Sequence, residues 1–154
     1  MTDAPGSTPD APRTPRPPNR VRVSWRGDEE FEAGRPDGPP GRIDGHGKLA
    51  QGPVDWVLSA LAACSAADVV SILAKRRTPV DALDIEVTGH RVDGTPRRLR
   101  HIAMRFTIRG TGIEQTHAER AVDLAVTKYC SVRDSLREDI EIEWEVAVLA
   151  GTPA

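Results

Sequence analysis

Val57-Leu58-Ser59-Ala60-Leu61-Ala62-Ala63-Cys64-Ser65-Ala66-Ala67-Asp68-Val69-Val70 is the stretch on which the fold turns. It carries one charge. Its neighbourhood repeats apolar residues at helical spacing: Val54, Val57, Leu58, Leu61, Cys64, Ser65, Val69, Ile72 and Leu73. Pro53 stands at the first position of this helix, where a missing N–H costs nothing. Lys75-Arg76-Arg77 puts positive charge at its C-terminal end, as the macrodipole favours, and Pro79 stops it. So much small and apolar surface, with charge mainly at the ends, predicts a central helix covered on most sides.

Toward the N-terminus, the Gly-, Pro- and Asp-rich segment from Gly34 to Gly47 reads as loop or hairpin material holding at most a short strand. Val21-Arg22-Val23-Ser24-Trp25 alternates like a half-buried strand. Residues 1–20, with six prolines and almost nothing large to bury, read as a disordered tail, leaving 21–154 as one domain.

On the C-terminal side, Leu83-Asp84-Ile85-Glu86-Val87-Thr88 and the segment from Ile102 to Ile108 alternate with period two, and Asp93-Gly94 between them signals a hairpin. A second helix is predicted from about Glu114 to Tyr129, burying Ala118, Ala121, Val122, Ala125 and Val126, with Thr116 and Glu119 as a capping box. Cys130 falls at or just past its end, and Val132 to Leu136 form one more short helical piece. A last strand covers Ile140 to Val148. This order departs from steady βαβ alternation and predicts an α+β fold, mainly antiparallel strands over a helical centre.

Composition narrows the function. With 154 residues, a net charge of −2 and 29% charged residues, the chain suits a globular protein rather than a general binder of nucleic acid or membrane surfaces. No stretch is expected to serve as a membrane span, and no secretory signal is read at the N-terminus, so the expected location is cytoplasmic. Two cysteines in a reducing compartment do not make a permanent staple; if they pair, the pairing is transient.

Cys64 and Cys130, 66 positions apart, are either inert core residues or a redox couple, and only the fold can bring them within disulfide distance. Burial alone raises a thiol pKa, so a reactive Cys64 needs a compensating group. Arg35 and Arg42 in the preceding loop are the candidate cations, since arginine stays charged and offers a rigid fork of donors. Asp55 is a candidate to hold that fork; it lies two and a half turns before Cys64, on roughly the opposite helix face. Asp68 shares the Cys64 face and is expected to bond Arg76, Lys75 or a neighbouring strand. His46, His90, His101 and His117 lack zinc-site spacing, and neither a Gly-rich phosphate loop nor a nucleophile elbow is present. Arg97-Arg98-Leu99-Arg100 reads as the solvated end of a hairpin.

Gly52-Pro53-Val54-Asp55-Trp56 through Cys64, followed by Asp68-Val69-Val70-Ser71-Ile72-Leu73, resembles the central helix of the OsmC/Ohr family, the osmotically inducible and organic hydroperoxide resistance proteins. Arg120 through Val132 resembles the family's second-cysteine helix, and the similarity spans about residues 21 to 149. The resemblance implies an OsmC-like fold, an intertwined homodimer with sheets around central helices. It implies a thiol peroxidase that reduces organic hydroperoxides. Cys64 would be the attacking thiolate and Cys130 the thiol that resolves its sulfenic acid as a disulfide. A lipoyl-type or other dithiol would reduce that disulfide, with no metal, flavin or haem. Arg42, with Arg35 second, would match the family arginine, and Asp55 stands where the family usually carries glutamate. The competing class is a catalytically weak redox sensor or apolar-ligand-binding protein on the same fold.

Overall fold

The computed structural model describes residues 15–151. Of the expected N-terminal tail, residues 1–14 lie outside the described part, while 15–20 are exposed and without regular structure. Two compact units, through Ile43 and from Asp44 onward, divide the chain.

In the first unit, β1 (Arg22–Gly27) pairs antiparallel with β2 (Glu30–Gly34), placing Val23 opposite Ala33 and Trp25 opposite Phe31. The reversal uses two positive-φ residues, Gly27 at 112° and Asp28 at 46°. Aspartate is among the few side chains that tolerate this region. The short β3 (Gly41–Asp44) completes the sheet in the order β1-β2-β3. Alternation at Val21–Trp25 locates β1 to within a residue or two, and β3 is the short strand expected between Gly34 and Gly47. β2 was not anticipated, because only Phe31 and Ala33 break its polar character.

The second unit is built on α1 (Pro53–Lys75). Gly52 caps it, and the Asp55 carboxylate accepts the Gly52 N–H at 2.9 Å, satisfying a donor that the first turn leaves free. At the other end Arg77 turns to φ 62°, the Thr78 N–H and hydroxyl both donate to the Leu73 carbonyl, and Pro79 comes directly after. The chain itself covers only one stripe of this helix: Leu61, Ser65, Val69 and Leu73, spaced by four, are buried while Trp56, Val57 and Val70 are exposed. The rest of the helix surface is left uncovered or half-covered by the described residues. By length and composition α1 could also cross a membrane, contrary to the sequence reading; in this fold it packs against the second helix and β4 as a core element.

β4 (Ala82–Arg91) pairs antiparallel with β5 (Leu99–Gly110), joined through the expected Asp93-Gly94 region. β6 (Glu141–Ala150) runs parallel to β5, with Ile102 opposite Ile142 and Met104 opposite Trp144. A parallel neighbour needs a crossover, which the helices between β5 and β6 supply. β5 buries Ile102, Met104, Phe106 and Ile108, alternate residues of one pleated face, in a core shared with Leu61, Val69, Leu73 and Val122. The basic stretch is only partly solvated: Leu99 is buried and Arg98 pairs with Asp139 at 3.0 Å.

α2 (Gln115–Leu124) begins after Glu114, so the Thr116–Glu119 capping box does not form. Gln115 instead donates to the Glu119 carboxylate at 2.8 Å and to the Val146 carbonyl at 2.7 Å, tying the helix to β6. The expected continuation to Tyr129 changes character: Ala125–Tyr129 is a π-helical turn, closed by the Cys130 N–H on the Ala125 carbonyl at 2.9 Å. Such a widened turn re-aims the next residues of the chain and is frequent at functional sites. The first residue so placed is Cys130, the N-cap of the single-turn α3 (Ser131–Asp134).

A candidate thiol site at the start of the short helix

Cys64 is half-buried on α1, and Cys130 is 4% exposed. Each thiol acts on the ionisation of the other. Each meets a different set of partners. Cys130 caps α3, its sulfur accepting the Arg133 N–H at 3.3 Å, while on its inner side it lies 4.0 Å from the Leu61 carbonyl. Cys64 faces the same turn from α1, with the Ser131 hydroxyl 3.9 Å from its sulfur.

These surroundings separate the two thiols. Burial pushes the Cys64 pKa up, but the backbone N–H of Val132, the Cys130 thiol, and the hydroxyl and N–H of Ser131 all favour the thiolate and bring it below the ordinary value. For Cys130 burial prevails: its pKa is raised despite the Arg133 N–H and the Ser65 hydroxyl, and the neighbouring Cys64 raises it further. Cys64 therefore loses its proton first. The remaining S–H of Cys130 can then donate to the new thiolate.

The other expected residues have different employment. Arg42, in the N-terminal unit, donates to Glu30 at 2.8 Å. Arg35 supplies its carbonyl to the Gly38 N–H. Asp55 closes the first turn of α1. Asp68 makes no ion pair or hydrogen bond among the described residues; it lines a cleft of about 400 Å³ with Lys75, Arg76, His117, Arg120 and Tyr129. The expected partners Lys75 and Arg76 thus share its cleft without closing on it. Among the described residues no three His, Cys, Asp or Glu side chains gather as metal ligands would.

Sequence reasoning missed Ser131, the Val132 N–H and Ser65. Adjacency to Cys130 was the available signal for Ser131. A capping cysteine with a serine behind it points two polar groups at whatever packs on that turn.

The α+β fold thus brings Cys64 on α1 and Cys130, the cap of α3, to one turn. Residues 45–145 match the family pattern described as OsmC-like protein. The chain belongs to the OsmC family. Protein YhfA of Escherichia coli strain K12 is 36% identical over 132 residues, covering 85% of this chain and 98% of that protein. Among solved structures, a hypothetical protein from Aquifex aeolicus VF5 aligns with a TM-score of 0.71 at 25% identity, covering 84% of this chain and 96% of that one. An organic hydroperoxide resistance protein OsmC from Legionella pneumophila aligns with a TM-score of 0.63 at 17% identity, covering 83% and 95%, and so shares the fold. Family membership supports a redox, peroxidase-related role.

Proposed function

We propose that the protein is a thiol peroxidase that reduces organic hydroperoxides to alcohols. The observation that carries this reading is the pairing of a Cys64 thiol acidified by the α3 turn with a Cys130 thiol kept protonated beside it. The Cys64 thiolate attacks the distal peroxide oxygen: an S–O bond forms, the O–O bond breaks, and the alkoxide leaves and takes a proton to become the alcohol. Cys130 then attacks the sulfenic sulfur, forming the S–S bond and releasing hydroxide, which becomes water with the Cys130 proton. An external dithiol of the lipoyl type restores both thiols by exchange. The chemistry needs no metal or organic cofactor.

In this reading Arg42 must exchange Glu30 for the Cys64 region, and Asp55 would steady it only at the expense of the α1 cap. A second copy is the expected partner. Trp56, Ala60, Ala63, Ala67, Val70 and Ala74 are exposed on α1 at spacings alternating four and three. That is the pattern of a seam between two helices, with small residues permitting close approach. A reducing, cytoplasmic setting suits a disulfide that must be re-opened.

One observation favours the competing reading of a slow redox sensor. The groups that bring the Cys64 pKa down are neutral, and a neutral donor favours a thiolate less than a guanidinium does. One experiment separates the two. Reduced protein is treated with one equivalent of an organic hydroperoxide or of hydrogen peroxide, and its mass and peptides are mapped. Rapid loss of two hydrogens with a Cys64–Cys130 crosslink, selective for the organic peroxide, is expected. Two unmodified thiols would refute the peroxidase.

A further inference from the structure

Ser65 breaks a general rule of protein interiors. Its side chain is 0% exposed, and its Oγ has no hydrogen-bond partner among the described residues. A serine inside a helix ordinarily donates back to the carbonyl four residues earlier, here that of Leu61. That carbonyl is approached instead by the Cys130 thiol, with 4.0 Å between sulfur and oxygen. A buried hydroxyl left unpaired is destabilising. Replacement by alanine would remove the cost and leave nearly the same shape. The hydroxyl makes physical sense if the protein has a second state in which it is paired, and the Cys130 sulfur, seated on the carbonyl one helical turn before Ser65, is the neighbouring group whose ionised form it favours.

We propose that Ser65 is a positioning residue for Cys130, donating its O–H to the sulfur when that sulfur is ionised. The wall of α1 then exchanges one contact for another. In the thiol, the S–H points to the Leu61 carbonyl and Ser65 is idle. In the thiolate, the S–H is gone, the carbonyl keeps its helical N–H partner, and the Ser65 hydroxyl turns onto the charge. Hydrogen bonds to an ionised acceptor are roughly twice as strong as neutral ones. An unfavourable resting contact thereby becomes a favourable one in the state that burial opposes.

The other groups around Cys130 do not substitute for Ser65. Arg133 supplies a backbone N–H at 3.3 Å in the thiol form already. Cys64, once ionised, repels a second negative charge. Lys128, Arg133, Asp134 and Glu138 line the cavity that Cys130 borders, two cations against two carboxylates. Ser65 alone acts from the buried side, where water cannot compete with it.

The use of this donor rests on the peroxidase reading. There, Cys130 must become a thiolate to attack the sulfenic sulfur, and must carry negative charge again if the reductant attacks Cys64 of the disulfide. The pairing of hydroxyl and sulfur does not depend on that reading and is tested without peroxide. The chain has two cysteines. Cys64→Ser protein labelled with ¹³C at the cysteine β-carbon therefore gives a single signal, whose pH titration reports Cys130 directly. Adding Ser65→Ala is expected to raise the midpoint by about one pH unit, a tenfold loss of thiolate at fixed pH. Ser65→Thr, which keeps the hydroxyl, is expected to hold the midpoint. An unchanged midpoint in the Ser65→Ala protein overturns the proposal. A wild type inert to hydroperoxide, with the shift still present, would retire the peroxidase and leave the pairing standing.

Discussion

Replacing Ser131 by alanine tests how Cys64 is activated. The hydroxyl approaches the sulfur at 3.9 Å, at the long end for a sulfur hydrogen bond, and Ser131 is exposed. A hydrogen bond to a charged group contributes about 1.5–3 kcal/mol when water is excluded. Here the length and the ready replacement by solvent reduce that to about 0.7 kcal/mol, or roughly half a pH unit in the Cys64 midpoint. At a fixed pH below the midpoint, the thiolate fraction should fall about threefold. The Val132 N–H is untouched and acts more strongly than the serine, so the midpoint should remain below that of an ordinary cysteine. The assay is the rate of alkylation of Cys64 against pH, read by peptide mapping so that Cys130 stays in place. Ser131→Thr should restore the parent midpoint. The reasoning is refuted if Ser131→Ala leaves the midpoint where it was. It is equally refuted if the midpoint rises past the ordinary value, which would mean that the backbone donors contribute nothing.

Four further outcomes are expected. Arg42→Ala should raise the Cys64 midpoint if its guanidinium exchanges Glu30 for the thiolate, whereas an unchanged alkylation profile would confine Arg42 to its exposed pair, worth about 0–1 kcal/mol. Asp55→Ala should lower stability by about 1 kcal/mol in chemical denaturation, through loss of the cap on α1. Phe106→Ala, at a fully buried position facing the helices, should cost about 3–5 kcal/mol in the same measurement. The two thiols should also affect stability with opposite signs. Cys130, raised in the fold, should cost the protein stability as the pH climbs through the unfolded thiol value toward the higher folded one. Cys64, lowered in the fold, should add stability above the unfolded value, a gain that disappears as the pH falls through the folded one, and peptide-resolved alkylation during pH-dependent denaturation assigns each sign to its thiol.

The elements legible in the sequence were those whose side chains alternate cleanly against a single covered face. β4, β5 and β6 read true because every second residue from Leu83, Ile102 and Ile142 faces the core. α1 was legible in extent from Pro53, the basic end and Pro79, and the chain itself buries one stripe of it. Hydrophobicity records that a face must be buried, and says nothing of whether the same chain buries it. The parallel course of β6 was hidden, because period two is the same in either direction. The turn at Ala125–Tyr129 was hidden as well, since its residues suit an α-helix and the wider spacing, closed by the Cys130 N–H on the Ala125 carbonyl, leaves no mark in their types. For the site, residue types nominated both cysteines. The groups that tune them are mainly backbone N–H donors, which carry no sequence signal, and two serines, marked only by standing next to the cysteines. Arg42 and Asp55 were chosen by chemical type, and types alone could not foresee Glu30 or the helix cap as their partners.

The position of Cys64 around α1 links its chemistry to the uncovered part of that helix. At about 100° per residue, the stripe of Leu61, Ser65, Val69 and Leu73 centres about 120° from Cys64 in one direction. The exposed stripe from Trp56 through Ala74 centres about 80° away in the other. Cys64 thus sits on the border, one flank against the α3 turn and the other beside the exposed stripe of small and apolar residues. Whatever packs on the small-residue seam will border the thiol and narrow the approach of a peroxide. Cys130, on the covered side, meets the same environment whether or not the seam is occupied. A change in association should therefore alter the alkylation of Cys64 and leave the Cys130 titration in place. If the proposed second copy packs on the seam, dilution tracked with both probes distinguishes this arrangement from one in which the pair responds as a unit.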